Sequence, residues 1–118
     1  MQGPIVHFDI PVDDSGRAQE FYAELLRWRF DRQPGPEYWL VQTGGEPVGG
    51  LLPRHGRDRR PLVYFEVDDI DASLADVERL GGEIVVGKTP VPGKGWLGKV
   101  RDTEGNLVGL WNVDHAAA

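Results

Sequence analysis

The strongest constraint on the fold of this chain is an internal repeat. The segment His7–Asp14 (HFDIPVDD) returns 55 residues later as Leu62–Asp69 (LVYFEVDD), and both copies end in valine followed by two aspartates. Each copy is followed by apolar residues at helical spacing and then by three short apolar segments. A period of this length is too long for a solenoid of many short repeats. The repeat therefore predicts an α+β fold built from two βαβββ modules.

Periodicity predicts the elements of the first module. Residues Ile5–Val12 alternate in a way typical of a half-buried strand, with His7 and Asp9 on one face. Three further strands are predicted at 28–32, 38–42 and 48–52. A helix is predicted over about 15–27, and the stripe that we expect it to bury is Ala18, Phe21, Tyr22, Leu25 and Leu26.

The second module has the same order of elements. Its helix is predicted to bury Leu74, Val77 and Leu80. It is predicted to end at Gly81-Gly82, because glycine tolerates the left-handed conformation that follows a helix C-terminus. Strands are predicted at 83–86, 96–101 and 107–113, with a tight hairpin at 102–106 between the last two.

Length and charge limit the expected partners. A chain of 118 residues has the size of a single domain, here divided into module one at about 4–54, a linker at about 55–60 and module two at about 61–115. Nineteen acidic and thirteen basic residues give a net charge of −6, which repels phosphate backbones and anionic lipid. We therefore expect neither nucleic acid nor a membrane as a partner. The N-terminus lacks the pattern of a signal peptide, so the expected location is the cytoplasm.

Two further features of the composition narrow the chemistry. The chain has no cysteine, which excludes disulfides, thiolate metal sites and a cysteine nucleophile. One basic run interrupts the acidic background without an aromatic residue that could stack on a base, and we interpret it as a solvated linker. It consists of Arg54, Arg57, Arg59 and Arg60.

Four short motifs occur in order along the chain. They are VHFDIPV at 6–12, the pairs Phe21-Tyr22 and Leu25-Leu26 on the first helix, Gly81-Gly82, and the run 102–111. Together they resemble the vicinal oxygen chelate superfamily, which includes glyoxalase I, bleomycin resistance proteins and extradiol dioxygenases, and within it a group of small glyoxalase-related proteins. The resemblance implies the glyoxalase/bleomycin resistance fold, in which two βαβββ modules form a cupped mixed sheet with the helices outside. It also implies a homodimer.

Metal-using members of that superfamily hold an ion with a histidine early in the first strand of each module and a carboxylate near the last strand of each. His7 matches the first histidine position, but the repeat carries the second to Leu62, which has no ligand atom. The carboxylate positions fall near Gly50 and on Gly109, and Glu46 is off register. We therefore expect no metal and no other cofactor.

A cup without a metal is suited to a small organic molecule. Strand parity places a few polar groups among apolar ones on its surface, and aromatic residues add flat contact area. The predicted ligand-binding residues are His7, Asp9, Trp39, Leu62, Tyr64, Trp96, Gly109 and Trp111.

Three functions are compatible with these residues. The first is a metal-free binding protein similar to bleomycin resistance proteins, for which the acidic charge favours a cationic guest. The second is a lyase, isomerase or epimerase of the glyoxalase type, in which His7 is a general base beside a carboxylate, Glu66 or Asp9. The third is a regulatory module that binds a partner protein. The sequence leaves open whether the protein is an enzyme and which compound it binds.

Overall fold

The computed structural model describes residues 2–55 and 60–118, and its elements confirm the α+β fold of two βαβββ modules. The chain divides into two compact units, Val6–Leu62 and Val63–Ala118, the second also including the N-terminal residues up to Ile5. The first unit corresponds to the first module and the second unit to the second module. Most of the predicted linker, with Arg57 and Arg59, lies outside the described residues.

The first module contains one helix and a mixed sheet of four strands. The elements are β1 (Ile5–Val12), α1 (Ser15–Leu26), β2 (Arg29–Arg32), β3 (Trp39–Gln42) and β4 (Val48–Pro53). Within this module the strand order is β2-β3-β4-β1. β1 and β4 are parallel, and the other neighbours are antiparallel. The predicted strands are therefore confirmed to within a residue at each end.

Helix α1 begins as predicted, but only part of its predicted stripe is half-buried. Asp14 caps its first turn by accepting a hydrogen bond of 3.0 Å from a backbone N–H. The expected burial of Phe21, Leu25 and Leu26 is wrong, since they are 59%, 62% and 46% exposed. Ala18 and Tyr22 of the same stripe are half-buried, and Tyr22 stacks on Trp28 at a ring distance of 5.0 Å. Ala18 and Tyr22 pack, and the adjacent large apolar side chains of Phe21 and Leu25 point outward.

Glycine at position 49 allows the first module to close its core. A Cβ atom there would lie within 3.0 Å of three ring atoms of Phe8, so the ring packs directly on the strand backbone. Phe8 also contacts Trp28, with ring centroids 5.9 Å apart. On the same face Val41 and Leu51 are completely buried. This face holds the apolar core and leaves the opposite face for other groups.

The second module repeats the arrangement. Its elements are β5 (Leu62–Glu66), α2 (Ile70–Arg79), β6 (Glu83–Val91), β7 (Gly95–Arg101) and β8 (Leu107–Val113). Within this module the strand order is β5-β8-β7-β6, with β5 and β8 parallel. Strand β6 is longer than predicted. Two register shifts between Ile84 and Thr89 interrupt the alternation of its side chains, so the sequence pattern does not reveal the second half of the strand.

The core of the second module lies between α2 and its sheet. Ile70, Leu74, Val100 and Leu110 form a buried cluster. The expected burial of Leu80 is wrong, because this residue is 63% exposed. The helix ends at Arg79, and the chain turns away at once through Gly81, whose φ of 95° is left-handed.

Candidate functional site

Three polar side chains of the first module meet on one face of its sheet. The imidazole Nε2 of His7 lies 2.7 Å from the hydroxyl oxygen of Tyr38 and 3.1 Å from Oδ1 of Asp9. The Tyr38 hydroxyl donates a hydrogen bond of 2.8 Å to the same Asp9 oxygen. The side chains of His7 and Asp9 are 27% and 13% exposed, so the contacts are largely shielded from water. We call His7, Asp9 and Tyr38 the polar cluster.

Strand geometry brings the polar cluster together. His7 and Asp9 are two residues apart on β1 and therefore point to the same face, as their parity predicts. Asp9 lies opposite Gly50 of β4, and Leu40 of β3 lies opposite the same glycine. Tyr38 is two residues before Leu40, so its ring reaches the face that carries His7 and Asp9.

Gly50 provides the space that the Tyr38 ring occupies. A Cβ atom at position 50 would lie within 3.0 Å of the hydroxyl oxygen and Cζ of Tyr38, and 2.6 Å from Oδ1 of Asp9. Any side chain at this position would displace the phenol. Position 50 is also where the resemblance places a carboxylate ligand, so a tyrosine fills the volume that such a ligand would need.

Sequence reasoning misses Tyr38, which it places at the start of a strand without a role in the site. The available signal is indirect. Tyr38 shares its parity with Leu40, and the neighbouring strand carries Gly49 and Gly50, whose missing side chains must be replaced by something packed against the backbone. Period alone does not say which side chain fills that space.

The second module also carries a tyrosine over a glycine. Tyr64 of β5 lies opposite Gly109 of β8, and a Cβ atom at position 109 would lie within 3.0 Å of three carbons of the Tyr64 ring. The ring of Trp111, on the same face of β8, lies over Gly95, where a Cβ atom would be 2.9 Å from two ring carbons. Tyr64 and Trp111 therefore lie on the face opposite α2, where Tyr64 is buried and Trp111 half-buried. We call this pair of rings the aromatic surface.

Two predicted ligand-binding residues lie on the helix-facing sides of their sheets. Trp39 shares the face of Val41, opposite Tyr38, and Trp96 packs against the buried cluster under α2. The Trp96 indole N–H donates a hydrogen bond of 2.9 Å to Asp114. This bond is the main reason that the pKa of Asp114 lies below its ordinary value. The structure thus places Trp39 and Trp96 apart from the other predicted ligand-binding residues of their own modules.

The remaining predicted site residues differ in character. Leu62 is a buried apolar residue of β5. Glu66 is half-buried at the end of the same strand, and its backbone N–H donates a hydrogen bond of 2.9 Å to the carbonyl of Pro4. Glu46 is exposed in the turn that precedes β4.

The donor set does not fit a metal centre of the kind that the resemblance describes. Within residues 2–55 and 60–118, no three His, Asp or Glu side chains are grouped closely enough to hold a metal ion. Gly50 and Gly109 carry no ligand atom, and a tyrosine ring closes the space over each. Leu62 has no lone pair to donate. His7 and Asp9 remain, and their contact is a hydrogen bond.

Neither α1 nor α2, the two helices of the described residues, has the length and apolar character that crossing a bilayer requires.

Comparisons of the sequence find relatives with glyoxalase names. A family model described as bleomycin resistance protein-like N-terminal matches residues 4–44. The putative glyoxylase CFP32 of Mycobacterium bovis is 28% identical over 122 residues, which cover 96% of this chain and 47% of the relative. The chain thus spans about half the length of the curated relatives it matches.

Comparisons of the structure find the same fold. A member of the glyoxalase/bleomycin resistance protein/dioxygenase superfamily from Vibrio splendidus superposes with a TM-score of 0.70 at 13% identity, over 95% of this chain and 99% of that one. Methylmalonyl-CoA epimerase from Mycobacterium tuberculosis gives a TM-score of 0.68 at 18% identity, over 93% and 87%. At these identities the likeness shows the fold alone. Family model, sequence relatives and fold agree with the resemblance: residues 4–44 match a bleomycin resistance protein-like model, and the chain has the fold of the glyoxalase/bleomycin resistance protein/dioxygenase superfamily.

Proposed function

We propose that this protein binds a small organic molecule without the help of a metal ion. The observation that carries the proposal is the polar cluster of His7, Asp9 and Tyr38, in which hydrogen bonds take the place of metal coordination. Such a cluster offers directional donors and acceptors in a setting largely shielded from water, which is what orients a ligand.

The aromatic surface of the second module supports the same function. Tyr64 and Trp111 are rigid side chains whose faces make large contacts at little cost in side-chain entropy. In the second module we propose Tyr64, Trp111, Leu62 and Gly109 as ligand-binding residues, and in the first module His7 and Asp9.

Charge indicates the class of guest. Asp9 brings a carboxylate to the polar cluster, and the chain as a whole carries a net charge of −6. Both favour a guest with a cationic group or with hydrogen-bond donors over an anionic one.

A thermal-shift screen of organic compounds tests this proposal. Each compound is added with and without Mn²⁺, Ni²⁺ and Zn²⁺ to protein dialysed against a chelator. Because a ligand at about 100 times its Kd stabilises the folded state by about 2.7 kcal/mol, a true ligand raises the melting temperature by several degrees. We expect this rise without metal. A rise that requires metal contradicts the proposal.

Two histidine variants make the screen specific. His7→Ala should abolish the shift, whereas His115→Ala should keep it, since His115 is an exposed residue whose Nδ1 contacts the carbonyl of Gly93. Equal shifts in both variants would place the ligand elsewhere in the protein.

Proton transfer next to a carbonyl group is the alternative function. The observation that favours it is the distance of 3.1 Å between Nε2 of His7 and Oδ1 of Asp9, a geometry in which a carboxylate orients an imidazole. Asp9 is the carboxylate that the structure places in contact with His7. A fold shared with methylmalonyl-CoA epimerase is compatible with this chemistry. Turnover of a hemithioacetal or of an epimerisable thioester that disappears in His7→Ala would favour it.

We also propose that the protein forms a homodimer through α1. Phe21 and Leu25 expose apolar surface there, and their covering by a second copy would remove it from water. Curated relatives of about twice this length have room for two domains of this size in one chain. Two copies of the present chain would supply the same number of modules.

A further inference from the structure

The contacts of the polar cluster indicate which nitrogen of His7 carries the proton. Nε2 of His7, the hydroxyl oxygen of Tyr38 and Oδ1 of Asp9 are each within 3.1 Å of the other two. An ionised carboxylate contributes no proton, and a phenol contributes one. The Tyr38 hydroxyl donates to Asp9, which leaves its lone pairs for Nε2 of His7. A proton on Nε2 makes both of its contacts attractive, whereas a lone pair there would face a carboxylate oxygen that only accepts.

We infer that Tyr38 is a positioning residue that holds His7 in the tautomer with the proton on Nε2 and the lone pair on Nδ1. The acceptor nitrogen of His7 is thereby fixed. Its importance for ligand binding rests on the proposed function, whereas the tautomer itself is a property of the protein alone. Tyr38 acts through His7, and no contact of its own with a ligand is needed.

Gly50 makes this positioning possible. Because a Cβ atom at position 50 would overlap the hydroxyl end of Tyr38, any other residue there forces the phenol away from His7 and Asp9. Gly49, next to it on β4, allows an equally close approach on the opposite face, where the ring that packs on it belongs to Phe8. The two adjacent glycines therefore serve different side chains.

Because Gly49 and Gly50 serve different side chains, substitutions at these two positions can be compared directly. The experiment uses the whole chain and needs no ligand. The imidazole nitrogens of ¹⁵N-labelled protein are observed by NMR at a pH where the ring is neutral, and the His7 signals are assigned by their absence in His7→Ala. In the wild-type protein we expect a proton on Nε2, visible as an N–H cross-peak that exchanges slowly with water. A proton on Nδ1 overturns the inference.

The variants separate positioning from stability. Tyr38→Phe keeps the ring and loses only the hydroxyl, and we expect exchange of the His7 N–H to accelerate roughly tenfold, the scale of one net hydrogen bond. Gly50→Ala should do the same. Gly49→Ala should destabilise the fold to a similar degree and leave the His7 signal unchanged.

The outcomes are distinct from those of the ligand screen. An unchanged His7 N–H in Tyr38→Phe overturns the positioning role, and so does an equal loss of the signal in Gly49→Ala. Gly50→Ala is informative only if it folds, whereas Tyr38→Phe decides the question alone. A normal His7 signature in a protein that binds no compound would instead contradict the proposed function and leave Tyr38 as a positioning residue.

Discussion

Substituting Gly109 by alanine tests whether the ring of Tyr64 packs directly on the backbone of β8 at this position. The added Cβ would lie within 3.0 Å of three carbons of Tyr64, which is 6% exposed and directly opposite on the paired strand. Both backbones are fixed by the parallel ladder, so the ring must move. Overpacking of this kind costs about 1–3 kcal/mol. Alanine returns about 0.4–1 kcal/mol by restricting the unfolded chain.

The net effect is a loss of about 1–2 kcal/mol in the free energy of unfolding. For a chain of this length, the unfolding entropy converts that loss into a melting temperature lower by about 4–8 °C. Urea unfolding and calorimetry measure both quantities.

Gly87→Ala is the matched control, because no atom lies within 4 Å of a Cβ atom at position 87. This variant should be as stable as the wild type or slightly more stable. Replacing Tyr64 by leucine in the Gly109→Ala background should recover part of the loss, a non-additivity that a double-mutant cycle detects. If Gly109→Ala is as stable as Gly87→Ala, the close packing of Tyr64 on this strand is refuted.

Three further changes have defined outcomes. Asp14→Ala removes the cap of α1 and should cost about 1 kcal/mol in urea unfolding; an unchanged midpoint would contradict the capping role. Trp96→Phe removes the donor that lowers the pKa of Asp114. A lowered pKa stabilises the fold above about pH 4, and the gain is lost as the pH falls through the folded-state pKa. This part of the difference between variant and wild type should therefore shrink as the pH falls below about 4, and a constant difference would refute it. Finally, Phe21→Glu with Leu25→Glu should convert a dimer into a monomer by light scattering, whereas a dimer that persists would place the interface elsewhere.

The repeat made the fold predictable from the sequence. The two copies of a strand ending in valine and two aspartates align the first module with the second. At equivalent positions of this alignment, the structure pairs Asp9 with Gly50 and Tyr64 with Gly109. The period-2 pattern of β1 also placed His7 and Asp9 on one face correctly. These features depend on local alternation, which the sequence displays directly.

The features that the sequence did not show depend on which face packs. In α1 the apolar stripe is wide enough to be buried along either side, and the choice of Ala18 and Tyr22 over Phe21 and Leu25 is made by the fit against the sheet. In β7 both Trp96 and the following leucine are apolar, so parity alone does not tell which of them faces α2.

Tyr38 was hidden for a related reason. Its role arises from the space over Gly50 on a neighbouring strand, and a contact between strands leaves no trace in the local pattern of either. A glycine on a predicted inner face is therefore best read together with the aromatic residues of adjacent strands.

Elemental analysis of the purified protein shows whether the polar cluster holds a metal ion. After exhaustive dialysis of protein expressed in metal-supplemented medium, we expect far less than one equivalent of zinc, nickel, iron or manganese per chain, in the wild type and in His7→Ala alike. One retained equivalent that is lost in His7→Ala would contradict it, because it would show that His7 coordinates an ion where we place a hydrogen-bonded cluster.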